Sequence, residues 1–543
     1  PRSSVVLATS LEPADLWAAM RSSWREAVRE RELRLLLVRG GIEELIAAAA
    51  ALIKGETGDL EKMLWRELPE PPEAEADREL PLLVRRYEGS GSSYDNVSRF
   101  WGEFAQPRLE GTSERPVPDP YLALGAVPAC TSTFHDMTAQ REKVPIVDPA
   151  ACTGCGKCWI SCPDSAIGPV VMGSESLLNA AADRAEARSG EAPSAAAGPP
   201  AKAPSAAAGK LRRAFKQLGA KLDGMLAKGE PGLLEPDRLR EAYDWLVAQM
   251  KVGEPELPEF NTAFEATLAE VVSLPLSVTE PFFKDAHREE KGSGELLMLA
   301  VNPQACQGCG VCAAVCPDDA IRTEPQTPQA VASMRQTWRA WEELPDSSGK
   351  SIARASRHPR VGPLPAVLMS RHCLFSVAGG DGAEPGSGER LATRQTAAVV
   401  EYEMQRRLVE EAATLEQLAG KMREAIRASV SAALPMEHLE HLDQALGSAA
   451  RDGSDLGGLL SKLGELGERS DLDLARVQRM ARTARAIEEA RWQIVEGMQG
   501  TGRARYGLVV AGASAADWAA RFPRNPFGVP LTVDLAGNGA DLA

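Results

Sequence analysis

No stretch of this sequence is long and apolar enough to cross a bilayer. The most apolar run, 45–53, is mostly alanine and reads as a soluble helix. Basic charge is also not in excess: 61 Lys and Arg stand against 76 Asp and Glu, a net charge of −15. That balance argues against nucleic acid or an anionic membrane as partner. Cysteine is nearly absent outside two short runs. Of ten residues, eight lie in those runs, and only Cys130 and Cys373 remain. This usage fits a reducing, cytoplasmic setting. The chain begins at Pro1 without Met and stops at Ala543 soon after a strand-like run, so a piece of a longer polypeptide is expected. Its 543 residues, 44% apolar and 25% charged, suffice for three or four domains at roughly 150 residues each.

The two cysteine runs are near-copies. Cys152, Cys155, Cys158 and Cys162 are followed by Pro163; Cys306, Cys309, Cys312 and Cys316 are followed by Pro317. Both read C-x2-C-x2-C-x3-C-P, the spacing of bacterial two-cluster 4Fe–4S ferredoxins. Three thiolates on a glycine-containing loop reach three corners of one cubane. The fourth, sent away by a helical turn and a proline, ligates the cluster of the other run. The expected sets are Cys152, Cys155, Cys158 with Cys316, and Cys306, Cys309, Cys312 with Cys162. Gly154 and Gly308 are expected to direct N–H groups at the sulfurs and tune potential. Structural zinc normally separates its cysteine pairs by a longer stretch. Disulfides between neighbours this close have poor geometry. The parallel extends beyond cysteine: Asp148-Pro149 matches Asn302-Pro303, and Pro163 to Ile167 matches Pro317 to Ile321. Two half-units about a pseudo-twofold axis are expected.

Along the chain, 4–8 and 33–38 read as strands, and 13–24, 42–54 and 57–67 as helices. Residues 1–68 form an α/β or α-rich segment. A Pro/Glu/Gly-rich connecting arm covers 69–120, anchored by Phe100, Trp101 and Phe104. The ferredoxin-like module spans 121–327, with strands at 144–148, 166–167, 296–302 and 320–323. It carries an insertion, 173–292. Within it, Ala192 to Gly198 recurs as Ala203 to Gly209, a low-complexity linker expected to be disordered. Leu211, Phe215, Leu218, Leu222 and Leu226 mark an amphipathic helix. Packing within the insertion is favoured over contact with a partner or a membrane surface. Further helices are expected at 236–250 and 260–272. A helix at 328–344 precedes a linker over 345–364, then a strand at 365–369. The glycine-rich stretch 379–388 suits either an anion or a tight turn. Helices at 391–434 and 471–499 suggest a protruding hairpin. His438 and His441, within it, read as surface residues. Residues 506–512 resume α/β material. The fold class is thus α+β multidomain: a two-cluster ferredoxin-like domain with a helical and disordered insertion, followed by a partial α/β domain at 365–543 carrying a helical insertion at 400–500.

The order Phe100-Trp101, Thr131 to Phe134, Lys143 to Pro145, two cysteine runs and a Ser/Cys/Gly segment at 370–382 resembles pyruvate:ferredoxin (flavodoxin) oxidoreductase and its 2-oxoacid relatives. The match covers roughly 100–170 and 294–400; 173–292 and 400–500 have no counterpart. The resemblance implies electron transfer through two 4Fe–4S clusters within such an enzyme. It also implies ferredoxin or flavodoxin as acceptor, upstream and downstream oxidoreductase domains or subunits, thiamine diphosphate in the complete enzyme, and a possible homodimer. The family's further cluster uses a C-x2-C pair, of which only Cys373 is present, so no third cluster is expected. Gly380-Asp381-Gly382 lacks the downstream Asn of the thiamine signature, so no thiamine ligand is assigned. The segment alone is not expected to be catalytically complete. The other reading is a stand-alone electron carrier or an iron–sulfur subunit of a hydrogenase or dehydrogenase.

Overall fold

The computed structural model describes residues 4–8, 34–38, 42–54, 97–110, 119–190, 206–380, 383–431, 474–495, 506–511, 518–519 and 522–534. The helices expected at 13–24 and 57–67, most of the arm, residues 191–205, Asp381, Gly382, His438 and His441 lie outside them. The strands are β1 (Ser4–Ala8), β2 (Arg34–Val38), β3 (Lys143–Val147), β4 (Ile167–Met172), β5 (Gly232–Leu233), β6 (Leu276–Val278), β7 (Leu296–Val301), β8 (Ile321–Pro325), β9 (Leu508–Ala511) and β10 (Leu531–Asp534). Helices and small sheets are mixed.

β3 leads into the first cysteine run and β4 leaves it; β7 and β8 do the same for the second. They do not pair within a repeat. β3 runs antiparallel to β8, with Val147 opposite Ile321. β4 runs antiparallel to β7, with Ile167 opposite Val301. The halves are therefore stitched crosswise. Equivalent bonds seal both junctions: Asp148 N–H donates to the Ala320 carbonyl at 2.8 Å, and Asn302 N–H to the Ala166 carbonyl at 2.7 Å.

The β4–β7 pair is a partition. Side chains alternate along a strand, and both faces are covered. Val170, Met172, Leu296, Met298 and Ala300 face one core with Leu211, Phe215, Phe260 and Phe264. Val171, Leu297, Leu299 and Val301 face another, with Cys158, Trp159, Cys162, Cys306 and Cys312. Two-sided burial explains why β7 reads as an unbroken apolar run. The insertion builds the first core. Its helices Ser174–Gly190, Ala206–Leu226, Pro236–Met250 and Leu257–Val272 pack there. Leu211, Phe215, Leu218, Leu222 and Leu226 are all buried, as the packing alternative expects. β5 and β6, too short to show a period, extend the sheet in the order β4-β7-β6-β5. Lys284 Nζ caps the helix ending at Leu226, donating to its carbonyl at 2.7 Å.

Three local expectations are corrected. Ala206 to Gly209, the end of the low-complexity repeat, is helical, and Ala207 is buried. Alanine's helix propensity suits it to that first turn. The expected linker at 345–364 contains a helix, Gly349–Arg357, whose N-terminus is capped by Ser348 Oγ accepting from Ser351 N–H at 3.1 Å. Ile352 and Ala355 bury its inner face. The expected strand at 365–369 is a helix, Pro363–Val367, with proline in its first turn.

The long helix Gly388–Ser431 packs against Leu474–Val495. Arg423 pairs with Glu488 at 3.4 Å and Arg491 with Glu416, so the two helices run antiparallel. β9 and β10 pair in parallel. The segment ahead of β3 is latched to β10. Val127 bridges Leu531, and buried Asn525 Nδ2 donates to the carbonyls of Val127 (3.2 Å) and Val529 (2.8 Å). Phe100 is buried as expected of an anchor, and Trp101 stacks on Phe134 with centroids 4.6 Å apart.

Gly168 makes room for the stacked Trp338–Trp341 pair; a Cβ there would lie 2.7 Å from Trp341 Cε2. Gly168→Ala should destabilise the chain by about 1–3 kcal/mol through overpacking. The urea midpoint measures it; an unchanged midpoint would show that the indoles yield freely.

Candidate metal centres

Crosswise strand pairing decides which thiols meet. Cys152 lies five residues beyond Val147, and Cys316 five residues before its partner Ile321. Cys162 stands in the same relation to Ile167, and Cys306 to Val301. One cavity is accordingly lined by Cys152, Cys155, Cys158 and Cys316, with Gly154, Trp159 and Asp318. The other is lined by Cys306, Cys309, Cys312 and Cys162, with Gln307, Gly308 and Asp164.

The loops follow the same design. Each ends in a single helical turn, Lys157–Ile160 or Val311–Ala314, entered through a left-handed glycine, Gly156 at φ 81° or Gly310 at φ 75°. At Gly308, φ is 70° and an added Cβ would lie 2.6 Å from the Lys143 carbonyl oxygen, so only glycine fits. Its N–H points to Cys306 Sγ at 3.4 Å. The Gly154 N–H lies equivalently toward Cys152. Ala166 N–H donates to Cys162 Sγ at 3.3 Å. The cross-braces also match: Thr153 Oγ1 donates to Asp318 at 2.7 Å, and Gln307 Nε2 to Asp164 at 3.1 Å.

Burial raises the thiols' pKa values, because a thiolate is poorly solvated in an apolar wall. Cys152 is pushed up to about 11 and Cys162 to about 12, burial first, with neighbouring negative groups adding to it. Cys158, Cys306, Cys309 and Cys312 are raised for the same first reason. A set of such thiolates needs compensating positive charge at its centre. Iron supplies it. The thiols stand around two cavities, the space that a polynuclear cluster requires. An all-thiol donor set with N–H groups aimed at sulfur suits 4Fe–4S chemistry.

Several residues at the second cavity have no spacing signal in the sequence. Arg141 Nη1 donates to the carbonyls of Pro303 and Cys306, the latter at 2.6 Å. Arg394 Nε donates to Ser165 Oγ at 2.6 Å, and its Nη1 to the Ile160 carbonyl at 3.3 Å. Arg390 Nε lies 3.5 Å from Asp164 Oδ1. Burial lowers the Arg394 pKa to about 10, which leaves it cationic at neutral pH. Arg141 Nε and Nη2 and Arg394 Nη2 are buried without a hydrogen-bond partner among the described residues. That is donor capacity suited to an anionic cluster. The glycine-rich stretch also reaches this cavity. Gly386 N–H serves Cys309. Gly379 and Gly380 pack on Ser132 and Ala305 so closely that a Cβ on Gly380 would lie 1.9 Å from the Ala305 carbonyl oxygen.

Cys130 and Cys373 line neither cavity. Burial pushes each up to about 12. The folded state keeps these protons longer than the unfolded chain, whose thiols titrate near 8.5. Their contribution to stability is thus complete below pH 8.5 and lost as pH rises toward 12. Neither should be alkylated in native protein at pH 8, and both should be in urea. Mass spectrometry of iodoacetamide adducts is the check; rapid native labelling of Cys373 would contradict its burial.

Residues 145–168 and 299–322 each match the family model described as the 4Fe-4S binding domain. No curated protein matches the chain. No described helix is long and apolar enough to cross a membrane. The two matched segments support an iron–sulfur protein with a role in electron transfer.

Proposed function

We propose that this chain is the electron-relay segment of a 2-oxoacid:ferredoxin or flavodoxin oxidoreductase, with pyruvate as the expected oxoacid. The observation that carries the relay is the crossed lining of two adjoining cavities by all eight motif cysteines. A 4Fe–4S cluster, when bound, takes and releases single electrons. Cys152, Cys155, Cys158 and Cys316 would hold one, and Cys306, Cys309, Cys312 and Cys162 the other. The protein's part is ligation, spacing and dielectric. Cys158 and Cys312 belong to one apolar cluster, which keeps water from the space between the sites. The N–H groups of Gly154 and Gly308 take up part of the negative charge on sulfur. No proton is moved by any side chain in this scheme.

The flanking order of residues supports the oxoacid context. Thiamine diphosphate would belong to the complete enzyme, and no described residue is assigned to it. The close packing of Gly379 and Gly380 accounts for those glycines without a ligand. The ferredoxin or flavodoxin acceptor is likewise part of the proposal.

Anaerobic reconstitution with iron and sulfide should give about eight Fe per chain, two cubanes. Cys316→Ala and Cys155→Ala should lose the same EPR signal, and Cys309→Ala the other. If Cys316→Ala instead shares its loss with Cys309→Ala, the ligand sets are not crossed; a zinc-only product ends the relay reading. With its flanking domains present, the enzyme should reduce ferredoxin on addition of pyruvate. Reduction by hydrogen or NADH but by no 2-oxoacid would place the relay in another redox complex.

A further inference from the structure

The two cavities are near-copies in backbone but not in charge. Each has one aspartate at the equivalent position, Asp318 at the first and Asp164 at the second. Around the second stand three arginines. Arg141 reaches its loop through the Cys306 carbonyl, Arg390 pairs with Asp164, and Arg394 holds Ser165 beside Cys162. Arg390 and Arg394 have 0% exposure. Among the described residues no basic side chain lines either cavity directly; the arginines stand just behind the second, where Arg141 acts on Cys306 and Arg394 on Cys162, and no arginine acts so on Cys152 or Cys158. Lys157, in the first loop, is exposed to solvent, where its charge is screened.

We infer that the site formed by Cys162, Cys306, Cys309 and Cys312 holds the higher-potential cluster, poised there by Arg141, Arg390 and Arg394. The inference rests on the two-cluster reading. Reduction adds one negative charge to a cluster, and fixed positive charge nearby favours the reduced form. Water exposure acts the same way and opposes the assignment. Cys152, Cys155 and Cys316 are partly exposed, whereas only Cys309 is at the second site. The arginines prevail because they are sealed from water and preorganised, and Asp164 offsets only one of three. With both clusters bound, one electron would pass from the reduced first to the oxidised second, with no bond or proton transferred. The more exposed first site is the face for exchange with a donor, and the second is where the electron rests. The arginines are positioning residues for potential.

The test is an EPR-monitored redox titration of the reconstituted full chain with dithionite. Wild type should show about eight Fe and two separated midpoints. Cys309→Ser should alter the higher-potential signal, and Cys155→Ser the lower. Arg394→Gln should lower only the higher midpoint, and Arg394→Lys should restore it. Arg141→Gln, replacing a side chain that among the described residues bonds to the Pro303 and Cys306 carbonyls, should act in the same direction if Arg394→Gln fails to fold. Fewer than two clusters in wild type would defeat the two-cluster reading itself. Two clusters with coincident midpoints, a lower-potential signal altered by Cys309→Ser, or a midpoint indifferent to both glutamine variants would overturn the inference alone.

Discussion

The antiparallel pairing of β3 with β8 and β4 with β7 is the constraint on which the rest depends. Each pair joins the strand entering one cysteine run to the strand leaving the other. With four residues between strand end and cysteine on either side, the first thiol of one run and the last of the other arrive at the same place. A slip of one residue in either ladder would turn every strand side chain to the opposite face. It would exchange the apolar wall of a cavity for the side of the partition that packs on the insertion. Ladder register and cluster ligation are therefore one specification.

That pairing also explains how a long insertion is tolerated. Met172 lies opposite Leu296 at the end of the β4–β7 ladder. The insertion leaves and rejoins the module at neighbouring positions, occupying the place of a hairpin loop. Loop-closure entropy grows only slowly with length, and this excursion buries a core of its own against the back of the sheet. Phe282, on the return path, lies within 3.1 Å of where a Gly154 Cβ would stand. The insertion thus covers the first cysteine loop as well as the sheet.

The parts legible in the sequence were those with a period or a fixed spacing. The cysteine runs, β7, and the amphipathic helix at Ala206–Leu226 announce themselves, since each buries one regular set of side chains. The helix at Gly349–Arg357 did not, because its Pro/Arg/Ser surroundings resemble a linker. Its signal was the Ser348 cap, with Ile352 and Ala355 three apart. Pro365 was misread because proline suits both an edge strand and a first helical turn. Its carbonyl accepts from Trp159 Nε1 at 2.9 Å, a contact no local pattern encodes. The arginines around the second cavity were illegible for the same reason. Arg390 and Arg394 lie one helical turn apart on a long polar helix, and only the tertiary fold carries that face into the module.

Duplication builds two equal cradles, so duplication cannot give a relay direction. Direction has to come from parts that are not repeated. Within the repeats the halves differ at several positions, among them Lys157 for Val311, Trp159 for Ala313 and Ser165 for Asp319. The larger asymmetry comes from outside the repeat. Arg141 precedes the first strand yet serves the second loop; Arg390 and Arg394 come from the first turns of the long helix. Their bonds to Ser165, Asp164 and backbone carbonyls fix the charges before any electron arrives, so little reorganisation is needed when one does. A symmetric pair of ligand sets, made unequal by one helix end and one arginine, is a sufficient physical basis for a gradient between two otherwise matched sites.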